Sequence, residues 1–344
     1  MLNFERPYIV AEISANHNGS IQKAKDIMRA AAENGANCIK LQTYTPHTMT
    51  IKSERDEFKI KSGLWKGSTL WDLYQNAHTP FEWHSELFSF AKELKIDCFS
   101  TPFDESAVDL LEELNCPFYK IASFEITDLP LVKYIAEKNK PVIFSTGMAD
   151  KKNVDDVINL LNKYGIGKYA ILHCVSGYPT PIDEVNLETI HLLKREYGCE
   201  IGISDHTKGT LVSTLSVAYG VKIIERHFTI SRKESSPDSE FSLEPVELKK
   251  LSEDVNNAFK ALGKRTLQIT ESERENLKFR RSIYAIKKIN KGEKFTIQNV
   301  RRIRPNNGLA PKYYFKLINT FANEDIDEGE PIRIEHTNLK ENEL

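Results

Sequence analysis

The sequence predicts an α/β protein: a (β/α)8 TIM barrel followed by a small, mostly β domain. Three observations carry that expectation. Eight apolar, β-branched runs alternate with eight helical patterns across residues 7–262. The carboxyl ends of those runs are consistently polar, as at a barrel mouth, where such folds carry their chemistry. Beyond Gly263 the pattern changes to a charged stretch and then to short strands with glycine turns. A doubly wound sheet is the alternative arrangement of the same alternating units.

Strands are expected at about 7–13, 37–43, 96–101, 118–122, 141–146, 169–175, 200–204 and 221–228. Helices are expected at about 20–35, 81–95, 105–115, 129–139, 150–164, 185–197, 209–219 and 245–262. One insertion, residues 44–80, separates the second strand from its helix and holds Trp65, Trp71 and Tyr74. These rings either wall a ligand cavity or pack the insertion against the barrel.

The strand ends hold the candidate chemistry. The first ends in Glu12, followed by Asn16-His17-Asn18-Gly19, and the second in Lys40-Leu41-Gln42. The third brings Thr101 and Phe103, the fourth Lys120 and Ser123, the fifth Ser145 and the sixth Ser176. A lysine inside an apolar strand is costly unless paired. Lys40 and Lys120, with several hydroxyls at one mouth, suit an anion carrying phosphate and carboxylate, a structural ion pair being the alternative. The seventh and eighth runs end in Ser204-Asp205-His206-Thr207 and Glu225-Arg226-His227. Strand side chains alternate between faces, so Glu225 and His227 share one face, as do Ser204 and His206. If these strands are parallel neighbours, both imidazoles converge on one point, a plausible metal site; satisfied structural histidines are the alternative. In the long polar loop 231–245, Asp238 either touches a ligand or caps a turn.

A net charge of -2 with 28% charged residues gives no sign of nucleic-acid binding. No apolar run approaches membrane-spanning length, and the chain enters a strand at once with no visible signal peptide. The cysteines at 38, 98, 116, 174 and 199 are odd in number and lack a Cys-x-x-Cys pair, which reads as reduced and largely buried. A cytoplasmic, soluble protein is expected. The domains are expected at 1–264 for the barrel, 265–280 for a linker helix and 281–344 for the small domain, with a frayed tail from Asn338 to Leu344. Within the small domain, Ile286 to Glu293 and Glu324 to Glu330 are similar pieces, each a short strand and a charged glycine turn.

Taken in order, Ala11-Glu12-Ile13 with Asn16-His17-Asn18-Gly19, Lys40-Leu41-Gln42, Ser100-Thr101-Pro102-Phe103, Lys120-Ile121-Ala122-Ser123, Ser145-Thr146-Gly147-Met148, Tyr178-Pro179 and the two histidine motifs resemble the sialic-acid (nonulosonic acid) synthase family. Phe279-Arg280-Arg281-Ser282 and Arg304-Pro305 resemble that family's antifreeze-like (SAF) domain. The resemblance spans nearly the whole chain. Within the family, Trp65 to Tyr74, Thr79 to His84, Ser123 to Pro130 and Asp238 to Pro245 look like the pseudaminic acid synthase branch, from which His173 and Gly177 depart.

The resemblance implies condensation of phosphoenolpyruvate with an aminosugar aldehyde and release of phosphate. In that reading Lys40, Lys120, Ser123, Ser145, Ser176 and Ser204 hold phosphoenolpyruvate, with Gln42, Thr101, Phe103 and Glu225 around the substrates. His206 and His227 hold a divalent metal, with Mn²⁺ expected and Mg²⁺, Co²⁺ or Fe²⁺ as alternatives. Glu12 orients the sugar or the ion, and Asp238 and Tyr178 contact the sugar. Arg304 comes from the partner of a domain-swapped homodimer to close the site, or else makes a surface ion pair. Alternatives are an N-acetylneuraminate or legionaminate synthase, or a metal-dependent aldolase.

Overall fold

The computed structural model describes residues 4–339; the expected tail lies, from residue 340 on, outside them. The chain forms two compact units, Met1–Gly263 and Lys264–Leu344. In the first, eight parallel strands close into a barrel: β1 (Tyr8–Glu12), β2 (Cys38–Thr43), β3 (Asp97–Pro102), β4 (Tyr119–Ile121), β5 (Val142–Ser145), β6 (Tyr169–Cys174), β7 (Glu200–Ser204) and β8 (Ile223–His227). Pairing of β8 with β1 excludes the open doubly wound sheet. The register sets Glu12 beside both Lys40 and His227, and Ser204 beside Glu225, so the polar strand ends form one level. At Gly202 a Cβ would meet the Leu172 side chain at 2.3 Å and the Ile223 carbonyl at 2.6 Å, so β7 fits between β6 and β8 only as glycine.

Helices follow each strand and bury their apolar stripes on the barrel, as with Ile27, Met28 and Ala31 of Ile21–Glu33, and Val157 and Leu161 of Lys151–Lys163. Each large aliphatic buried this way contributes roughly 1.5–3 kcal/mol. Side-chain caps start them: Ser20 accepts from Lys23 N–H, Asp104 from Ala107 N–H and Asp150 from Asn153 N–H.

Three expected helices are shorter than the pattern suggests. The sixth runs Thr189–Tyr197 rather than from 185, because His173 Nε2 takes the Val185 carbonyl and Asn186 turns left-handed at φ +50°. The seventh runs Leu211–Ser216 with a 3₁₀ turn at Val217–Tyr219, because Arg226 draws the Gly209 carbonyl out of helical register. The linker holds only Glu271–Arg274 and a 3₁₀ turn at Glu275–Phe279, not one continuous helix. Residues 264–280 are exposed almost throughout, leaving no apolar face whose packing would support a longer helix.

In the second unit β9 (Ser282–Ala285) pairs antiparallel with β10 (Val300–Ile303). The remaining β character is isolated bridges; one of them, Ile289 to Ile326, joins the two similar pieces. Their glycines, Gly292 and Gly329, sit at φ +80° and +85°, which a side chain would oppose. A small core of Ile283, Ile289, Phe295, Val300, Leu317 and Ile332 holds the unit.

Candidate active site

The carboxyl ends of the barrel strands enclose a buried charge cluster. Lys40 pairs directly with Glu12 and lies 3.7 Å from Glu225, while Lys120 lies 3.9 Å from Glu225. None of these four residues is more than 4% exposed. Ser204 donates to Glu225 at 3.0 Å, and Lys40 donates to Thr101 at 3.3 Å. Burial lifts Glu12 to about 7 against the pull of Lys40, and burial holds Lys120 below the ordinary lysine range. Glu225 is equally buried, yet Lys120 and Lys40 hold it below the usual carboxylate range. Among the described residues Lys120 makes only the long contact to Glu225 and a 3.3 Å bond to the Ile121 carbonyl, so it keeps donor capacity for an added anion.

Beside Lys120, the turns after β4, β5 and β6 bring hydroxyls together. Gly147 N–H donates to Ser123 Oγ at 3.1 Å. A Cβ on Gly147 would lie 2.1 Å from Ser176 Oγ and 2.7 Å from Ser123 Oγ, so the cradle exists only with glycine there. Ser145 Oγ is buried and lacks a hydrogen-bond partner among the described residues.

The imidazoles of His206 and His227 converge, with ring centroids 5.4 Å apart. His206 Nδ1 lies 3.1 Å from the Val175 carbonyl, which makes it the protonated nitrogen and frees Nε2 as a lone pair. His227 Nδ1 is buried without a hydrogen-bond partner and lies 3.8 Å from Asp238. Burial, then His206 and Lys40, hold His227 well below the usual range, so it is a neutral imidazole, the ligating form. Two converging imidazoles, one of them neutral with an unpartnered nitrogen, fit a divalent cation; against its burial, Cys174 raises His206 above its ordinary range. Among the described residues no group of three or more His, Cys, Asp and Glu side chains with ligand spacing occurs, so a cation there would keep positions for water or substrate.

Above this floor lies a cavity of about 210 Å³. Tyr44, Trp65, Tyr74, Phe103 and Phe124 form its apolar wall, and Gln42, Glu125, Tyr178, His227 and Asp238 give it polar edges. Tyr44 meets Tyr74 and Phe103 edge-on at 5.8 and 5.2 Å. Of the insertion's three marked aromatics, Trp65 and Tyr74 line the cavity, while Trp71 packs on His47 at 4.7 Å.

Every barrel residue singled out from the sequence therefore lies at this mouth. Arg304 does not belong to the barrel unit: it is exposed after β10, in a basic cleft with Arg281, Arg301 and Arg302. Sequence reasoning missed Glu125, whose carboxyl burial lifts to about 7 and whose Oε2 has no partner. Its signal was its place two residues past Ser123. It also missed Tyr44 and Ser14; Ser14 donates to Asp238. Cys174 is buried as expected but borders the site, 3.8 Å from His206.

A family model described as the NeuB family matches residues 27–266, and an SAF domain model matches 280–336. The chain belongs to the NeuB family. Among its NeuB-family relatives, a pseudaminic acid synthase of Helicobacter pylori is 42% identical over 95% of this chain and 96% of its own. An N,N'-diacetyllegionaminic acid synthase of Campylobacter jejuni is 38% identical over 96% and 99%. An N-acetylneuraminic acid synthetase structure from Leptospira borgpetersenii, in complex with citrate, aligns with a TM-score of 0.71 at 32% identity, covering 79% of this chain and 90% of that one. The NeuB barrel thus carries its charge cluster, hydroxyl cradle and imidazole pair on a scaffold shared with nonulosonic acid synthases.

Proposed function

We propose that this NeuB-family chain is a pseudaminic acid synthase, condensing phosphoenolpyruvate with 2,4-diacetamido-2,4,6-trideoxy-L-altrose to give pseudaminic acid and phosphate. One observation carries the reading: a buried two-lysine charge cluster and an apolar-walled cavity edged by carboxylates share one barrel mouth. The likeness to a pseudaminic acid synthase and an N,N'-diacetyllegionaminic acid synthase fits it.

Lys40 and Lys120 take the negative charge of phosphoenolpyruvate, and Ser123, Ser145, Ser176 and Ser204 orient it by hydrogen bonds. Gln42, Thr101, Phe103 and Glu225 shape that pocket. Asp238, Glu125 and Tyr178 face the sugar, and the Tyr44, Tyr74 and Phe103 wall suits a methyl where other substrates carry a hydroxyl. A divalent cation on His206 and His227, most simply Mn²⁺ with Mg²⁺, Co²⁺ or Fe²⁺ as alternatives, would act as a Lewis acid toward the aldehyde. The enol carbon bonds to the aldehyde carbon, water adds at C2, and phosphate leaves with its C–O bond. Glu12, poised near 7, can exchange a proton at the new alkoxide at working pH.

The working form in this reading is a cytoplasmic homodimer in which the SAF domain of one subunit covers the other's barrel mouth, so that Arg304 closes a partner's site. Incubation with both substrates, followed by phosphorus and proton NMR, tests the chemistry. Inorganic phosphate appearing together with a C3 methylene is expected. Phosphate without a new C–C bond would overturn the condensation.

A further inference from the structure

The Asn16-His17-Asn18 motif after β1 has no part in this chemistry, yet Asn16 is only 1% exposed and both ends of its amide are engaged. Asn16 Nδ2 donates to the Phe228 carbonyl and to Ser242 Oγ, each at 2.9 Å, and Oδ1 accepts from Ser236 Oγ. Phe228 directly follows His227, while Ser236 and Ser242 flank Asp238 in the loop after β8.

Ser242 Oγ in turn donates to the Asp238 backbone carbonyl at 2.6 Å. This relay, from Asn16 through Ser242, fixes the Asp238 backbone. Its carboxylate accepts from Ser14 Oγ, two residues before Asn16. The preceding carbonyl, Pro237, accepts from the Trp65 indole at 2.9 Å. Asn18 Nδ2 adds a bond to the Ser235 carbonyl at 2.9 Å. The loop has only short turns of its own, at residues 232–233 and at Ser239–Phe241. Its form over the cavity is imposed by the β1 loop and by the insertion.

We propose that Asn16 is a positioning residue for the sugar side of the site: through Ser242 it holds Asp238 at the cavity, and Trp65 completes the hold. The inference rests on the reading of Asp238 as a sugar contact. Only an asparagine-like group meets the demand, because one planar group must donate twice and accept once. Aspartate has the same shape and cannot donate.

The test is steady-state kinetics of the full-length protein, with phosphoenolpyruvate and the altrose sugar varied separately. Variants are Asn16→Asp, Ser242→Ala and Trp65→Phe, the first two also in an Asp238→Asn background. Asn16→Asp and Ser242→Ala are expected to raise sugar KM about tenfold and leave phosphoenolpyruvate KM within about twofold. In the Asp238→Asn background that rise should vanish, since there is no carboxylate left to position. Trp65→Phe should raise sugar KM in the same selective way. If Asn16→Asp fails to fold, Ser242→Ala, which removes one hydroxyl, carries the test. Equal rises in both KM values, or effects that simply add to Asp238→Asn, would overturn the proposal and leave Asn16 a structural residue. A wild-type protein that releases no phosphate with the altrose sugar would instead overturn the functional reading beneath it.

Discussion

Glu125 shows how one side chain can be set against the fold that carries it. Burial raises its carboxyl from an ordinary 4.5 to about 7. Between those values the native state holds a proton that the unfolded chain has released, so stability falls as pH rises through this window. Below 4.5 both states are protonated and the penalty is absent; above 7 it is complete. Glu125→Gln should therefore be more stable than the native protein at pH 8 by about 3 kcal/mol, with the gap closing towards pH 4.5. Its sugar KM should rise at the same time, a stability gain bought with activity. Urea melts across that pH range check it; a gap independent of pH contradicts the buried charge. Lys40, Lys120, His206 and His227 were legible from the sequence because each is a polar residue at the end of an apolar run. Glu125 was not, because it lies in a 3₁₀ turn, where strand alternation no longer says which way a side chain faces. Asn16 was legible as a motif but not as a clasp, since its bond to Ser236 spans 220 residues of chain.

In the proposed reading, single elements divide the two substrates. In that reading the turn after β5 serves the anion: Gly147→Ala would drive a methyl into Ser176 and Ser123. Phosphoenolpyruvate KM should rise at least about tenfold while sugar KM holds, an outcome read from the two KM values separately; unchanged phosphoenolpyruvate KM would remove the serine cradle from the site. If the insertion serves the sugar, Tyr74→Ser opens the apolar wall, and preference for the 6-deoxy sugar over N-acetylmannosamine should fall by roughly 10–100-fold in kcat/KM. Equal losses with both sugars would make Tyr74 a packing residue. All eight strands were legible from apolar runs, because a parallel barrel buries both faces of every strand. Helix starts were less so. Val185 and Gly209 carbonyls are claimed by His173 and Arg226, side chains distant in sequence, which no local pattern foretells. The second unit reads as β from its glycine turns, yet it forms one two-stranded sheet and isolated bridges. Too few residues lie between its turns for longer strands.

At the scale of the whole molecule, the barrel places its chemistry at one mouth, while Arg304 lies in the other unit. If Arg304 completes a partner's site, inactive His206→Ala and Arg304→Ala subunits should complement each other. Random mixing makes half the dimers mixed, each with one intact site, so about a quarter of wild-type activity should return. No recovery from a verified mixed dimer would place Arg304 in its own subunit's site or in none. The boundary near Gly263 was legible as a change in composition. The most direct test of the central claim is phosphate release from phosphoenolpyruvate, with and without EDTA, offered three sugars in parallel: 2,4-diacetamido-2,4,6-trideoxy-L-altrose, its manno-configured isomer and N-acetylmannosamine. Release with the altrose sugar alone, abolished by EDTA and restored by Mn²⁺, is the predicted result. Release with another sugar in its place would contradict the substrate assignment, and no release with any, from folded and metal-loaded protein, would contradict the synthase itself.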